Sequence, residues 1–134
     1  MASADRVIAL EAALRRLSMI VDGVTASVVV SEDGLALAAY PNSEDGSGRE
    51  GIVSTAQVAA VSATLAALAE RSLDRLAQGE LGRLLLEGEA GTLLSCPAGD
   101  VTLALLVEKE ASMGHVLFAA QKAAAEIEAI LATR

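Results

Sequence analysis

The chain has 134 residues, 53% of them hydrophobic, and a formal net charge of −8. This length and apolar content predict one folded domain over residues 1–134 and exclude a disordered chain. The acidic balance, and one Tyr and one Phe as the whole aromatic content, argue against nucleic acid or a membrane surface as partner: phosphate is repelled, and bases have no platform to stack on.

The N-terminal stretch MASADRVIALEAALRR is charged throughout, so no signal peptide is expected, and no apolar run reaches the length of a membrane span. Residues Ala4–Val21 read as an amphipathic helix. Val7, Leu10, Leu14, Leu17 and Val21 recur at three- and four-residue steps, with Glu11, Arg15 and Ser18 on the other side. Gly23 suits the left-handed residue that ends it. Thr25–Ser31 is the first strand, with Ala26, Val28 and Val30 on one face and Ser27 and Val29 on the other. Asp33-Gly34 supplies the positive φ angles of a tight hairpin turn into a second strand, Leu35–Tyr40. PNSEDGSGREG, residues 41–51, reads as a mobile surface loop.

A second helix follows. Ser54 with Gln57 matches a capping box, Val53 with Val58 a hydrophobic staple, and Gly79 a stop. At about 25 residues it spans roughly 37 Å. Three strands come next, Arg83–Glu87, Thr92–Cys96 and Val101–Val107, joined by the turns GEAG and PAGD. VTLALLV is almost wholly apolar, which predicts a central strand covered on both faces. Ser112 caps a last helix with Val116, Ala120, Ala123 or Ala124, Ile127 and Leu131 inward. The element order α-β-β-α-β-β-β-α, with tight turns between strands, predicts an α+β fold on a mainly antiparallel sheet.

The second helix is apolar around too much of its circumference to sit on a sheet with its back in water. Val58, Val61, Leu65, Leu68 and Leu76 form one line. Ala56, Ala59, Ala63 and Ala66 form a second, widened by Ala60 and Ala67. Small alanines let another backbone approach closely, so the helix is expected to pack on its own sheet and against its copy in a second subunit. The six alanines are the candidate dimer interface.

Catalytic patterns are missing. The chain has no phosphate-loop motif and no G-x-S-x-G elbow. His115 is the only histidine and Cys96 the only cysteine, short of a zinc ligand set. Cys96 reads as a small core residue. The pairs Glu108/Glu110 and Glu87/Glu89 read as solvated strand and turn ends, and Arg71/Arg75 as a solvated helix face. No catalytic residue, metal or cofactor is expected, and no enzyme.

Several phrases together resemble one family. They are GVTASVVVSEDGLALAA (23–39), VAAVSATLAALAERSLDRLAQGEL (58–81), LLLEGEAGTLLSCPAGDVTLALLVEKEASMGHV (84–116) and the closing helix. Over about Val7 to Ile130 the chain resembles the Roadblock family of dynein light-chain-like domains, which also occur widely in bacteria. The resemblance implies a single-layer five-stranded antiparallel sheet with the long helix on one face and the two terminal helices on the other. It implies a homodimer in which the long helices pack together and the strand Arg83–Glu87 pairs across, adding Arg83, Leu85 and Glu87 to the interface. It also implies a module that binds a small Ras-like GTPase, as scaffold or activator, through the exposed side of residues 57–75: Gln57, Thr64, Glu70, Arg71 and Arg75. A cytoplasmic location is expected, with which the single Cys96 is compatible. The alternative is a small-molecule sensor or a purely structural dimerisation domain, with Thr25, Ser27 and Thr102 the best polar groups to orient a ligand.

Overall fold

The computed structural model describes residues 3–41 and 53–132. Apart from Pro41, the loop expected over 41–51 lies outside the described residues. Eight elements follow in order: α1 (Ser3–Ile20), β1 (Val24–Val30), β2 (Ala36–Tyr40), α2 (Thr55–Arg75), β3 (Leu84–Glu87), β4 (Gly91–Ala98), β5 (Val101–Glu108) and α3 (Met113–Ala132). The sheet order is β2-β1-β5-β4-β3, and every neighbouring pair is antiparallel. β5 is therefore the middle strand, as its apolar run predicts.

Strand alternation divides the core between two faces. Val29, Leu94, Cys96, Leu103, Leu105 and Val107 meet α1 and α3, which contribute Leu10, Leu14, Leu17, Val116, Ala120 and Ile127. Val28, Val30, Ala39, Leu93 and Ala104 meet α2 through Val58 and Ala59. Each fully buried Leu or Val in these layers is worth about 1.5–3 kcal/mol relative to exposure. Arg16 on α1 donates to Glu126 on α3, an exposed ion pair between the two helices.

Four local expectations are revised. The inward stripe of α1 begins at Leu10, not Val7, which is 36% exposed. The hairpin turn is one residue longer than a two-residue loop: Ser31 and Leu35 close it, the Gly34 N–H donates to the Ser31 carbonyl, and Gly34 alone has positive φ, +83°. That is a type I turn followed by a left-handed Gly, the second commonest hairpin solution. α2 stops earlier than Gly79. Ala77 takes the left-handed conformation at φ 56°, its N–H donates to the Asp74 carbonyl, and the Gln78 N–H reaches back to Leu73. These are the paired bonds of a Schellman cap, built here on an alanine. Strand bounds also move by one or two residues, most at β4, which continues through Pro97 to Ala98.

Gly23 ends α1 in the left-handed conformation, as expected, and for a second reason. A Cβ there would lie 2.5 Å from the Ala111 Cβ. The Glu108 N–H donates to the Gly23 carbonyl at 2.7 Å. This close approach joins the end of α1 to the start of α3.

Candidate functional site

α2 begins as its sequence predicts. The Ser54 hydroxyl accepts from the Gln57 N–H at 3.1 Å, fixing the first turn. The staple is weaker than expected: Val58 is buried but Val53 stays 44% exposed. From this start the helix turns Thr55, Val58, Ala59, Ser62 and Ala66 into the protein.

Ala59 is 0% and Ala66 9% exposed. Both are already covered within the chain, so neither is available to a second copy; the expected interface loses these two. Ala56, Ala60, Ala63 and Ala67 share the flank beside the β1–β2 hairpin. Ala56 lines a cavity with Gly34 and Leu35. Ala67 lines another with Ser31 and Glu32. A Cβ placed on Gly34 would lie 3.4 Å from the Ala63 Cβ and 3.8 Å from the Ala60 Cα. The chain's own hairpin thus approaches Ala60 and Ala63 closely, while Ala56, Ala60 and Ala67 remain exposed.

The opposite flank carries the larger side chains. Val53, Val58 and Val61 line a small apolar hollow with Leu93 of β4 and Leu106 of β5. Val61 is 49% and Leu68 52% exposed. Beyond β4 lies β3, whose Leu86 pairs with Leu93 and is 52% exposed. β3 is the last strand of the sheet on this side and hydrogen-bonds only to β4. Its outer edge offers unpaired main-chain groups, a template for strand addition. Arg83, Leu85 and Glu87 are all exposed, and Leu85 pairs with Leu94, which belongs to the α1/α3 side. Val61 of α2 and Leu86 of β3 thus both neighbour Leu93 on one face of the sheet, and among the described residues the outer edge of β3 has no strand beside it. Val61 and Leu68 stand in one of the two apolar lines read from the sequence; Leu86 was not singled out there.

Of the expected partner-binding residues, Gln57, Thr64, Arg71 and Arg75 are exposed at helical positions that share the outward side of α2. Glu70 turns away toward the cavity lined by Ser95, Asp100 and Thr102. The Thr64 hydroxyl donates to the Ala60 carbonyl at 2.9 Å. The hydroxyls proposed for a ligand fare differently. Thr25 donates to the Leu106 carbonyl and Ser27 to the Tyr40 carbonyl, while Thr102 lines the cavity beside Glu70.

Cys96 is buried, and burial pushes its thiol up, with the Arg83 charge pulling weakly the other way. Among the described residues no cluster of His, Cys, Asp and Glu can hold a metal ion, and no helix is long and apolar enough to cross a membrane.

A three-layer fold with an open edge strand and an exposed apolar helix face is that of a protein-interaction domain. Residues 10–107 match the Roadblock/LC7 domain, and the chain belongs to that family of regulatory and adaptor domains. A Roadblock/LC7 domain crystallised from Streptomyces avermitilis superimposes with a TM-score of 0.82 at 21% identity, over 92% of this chain and 98% of that one. Myxococcus xanthus MglB superimposes with a TM-score of 0.79 at 19% identity, over 94% of this chain and 90% of that one. A Methanocaldococcus jannaschii relative, named only as an uncharacterized protein, is 30% identical over 109 residues, 81% of this chain and 86% of its own.

Proposed function

We propose that the chain is a dimeric, non-enzymatic regulatory module of the cytoplasm that binds a small Ras-like GTPase. The observation that carries self-association is that exposed Val61 and Leu68 of α2 lie on the same face of the sheet as exposed Leu86, which sits on the edge strand β3. A second copy placed there adds a strand to the sheet and covers the apolar helix face in one step. One solved structure of MglB is described as having a tetrameric arrangement, which supports the reading that this chain also associates.

The GTPase partner rests on family membership and on the outward strip of Gln57, Thr64, Arg71 and Arg75. A Ras-like protein needs no catalytic group from a module that holds its switch segments in one conformation. Binding assays with Ras-like GTPases of the source genome, loaded with GDP or with a non-hydrolysable GTP analogue, test the reading. Nucleotide turnover is followed in parallel. One nucleotide state binds, and Arg71→Glu with Arg75→Glu weakens it about tenfold or more, as loss of a central arginine contact does. Failure of both states to bind any such GTPase contradicts the proposal.

A further inference from the structure

At the end of the sheet where α1 stops and α3 starts, a groove of about 580 Å³ opens between the two helices. None of its lining residues belongs to α2 or β3, so it is separate from the surface described above. Its apolar walls include Ile20 from α1 and Phe118 from α3. Ile20 is 66% and Phe118 65% exposed, and Met19 beside Ile20 is 80% exposed. Phe118 is the only phenylalanine of the chain. It stands in water although the core is otherwise filled with aliphatic side chains. Exposed apolar side chains gathered at a concave surface mark a docking site more often than scattered ones do.

The rim fixes the chemistry of the occupant. Asp22, Glu108 and Glu110 line the groove, and no Lys or Arg does. Lys109 lies between the two glutamates in sequence but outside the lining. Lys122, four residues further along α3, already holds its Nζ 5.6 Å from the Phe118 ring centroid, so the acidic rim and not the ring selects the charge of the occupant. A second copy of a chain with net charge −8 is a poor match for an acidic rim.

We propose that this groove docks a short segment of another protein in which a large apolar side chain is flanked by Lys or Arg. The apolar anchor lies against Ile20 and Phe118. The flanking cations meet Asp22, Glu108 and Glu110. The module then offers two independent surfaces, one on the α2 side of the sheet and one at the α1–α3 end, which is the geometry of an adaptor.

The test uses the full chain and a fluorescein-labelled peptide, acetyl-Lys-Lys-Ile-Phe-Lys-Arg-amide, followed by polarisation at physiological salt. A control peptide carries Glu in place of every Lys and Arg. The basic peptide binds saturably and the acidic one does not. Phe118→Ser and Glu110→Lys each weaken binding about tenfold or more. Glu32→Lys makes the same charge change at the other end of the sheet and alters binding by no more than about twofold, since a site that distant does not couple. Circular dichroism confirms that each exposed-site variant is folded. Absence of saturable binding overturns the proposal. So does an equal loss in Glu32→Lys, which would reduce the effect to diffuse attraction. A change in oligomeric state caused by Phe118→Ser overturns it too, by showing that a second copy covers the groove.

Discussion

Ala77 holds a left-handed backbone conformation at the end of α2, which costs an L-residue about 1–2 kcal/mol. Glycine removes that cost at the expense of a more flexible unfolded chain. Ala77→Gly is therefore expected to stabilise the protein by about 0.5–1 kcal/mol, read as a higher urea midpoint at constant slope. Ser62 gives a second case. Its hydroxyl is buried in the inward face of α2 with no hydrogen-bond partner among the described residues. Ser62→Ala keeps the packing and removes the desolvated hydroxyl, so stability rises by about 1 kcal/mol in the same assay. Gly23→Ala acts in the opposite direction, because the added Cβ meets Ala111 at 2.5 Å in a backbone region alanine disfavours. A loss of at least about 1 kcal/mol is expected. The Cys96 thiol, buried and pushed up, reacts with a thiol reagent at neutral pH only as fast as the chain opens. Above its ordinary value of 9.0 the unfolded thiol ionises while the folded one holds its proton, so stability falls as pH rises. The two glycines of turn and cap were legible in sequence because Asp-Gly pairs mark chain reversals. Ala77 was not, because nothing in an alanine announces a left-handed φ that the paired cap bonds impose.

At the level of elements, α2 shows both the reach and the limit of pattern reading. Periodicity placed the helix, its Ser54 cap and two parallel apolar lines. It did not say which line faces which neighbour, because that depends on where the helix crosses the sheet. Alanines suit any close approach. In the structure their flank lies beside the β1–β2 hairpin, and the larger Val61 and Leu68 lie toward open β3. The two assignments predict different things for Ala63. With Gly34 beside its Cβ, Ala63→Leu overpacks the hairpin contact and costs about 1–3 kcal/mol of monomer stability. If the alanines instead faced a second subunit, the same change would alter association and leave the urea midpoint of the isolated domain in place. The strands were easier to read. The central position of β5 follows from an apolar run that only a strand covered on both faces tolerates. The edge position of β3 is the consequence, since five strands in this order leave it one neighbour.

The whole molecule is a sheet held between α2 on one side and the α1–α3 pair on the other, with its exposed apolar surface shared between the α1–α3 end and the candidate site on the α2–β3 side. The fold class was legible in the element order and in the phrases shared with Roadblock domains. The site was legible only as a helix, because exposure is a property of how layers meet and not of any residue alone. The central claim is that the α2–β3 side is covered by a second copy. Sedimentation equilibrium at micromolar concentration measures it most directly, comparing the wild-type chain with a Val61→Glu, Leu86→Glu double variant. Both positions are about half exposed, so the variant folds. The wild type is expected at twice 13.6 kDa and the double variant at 13.6 kDa. A monomeric wild type, or a double variant that associates as tightly as the wild type, would contradict the account.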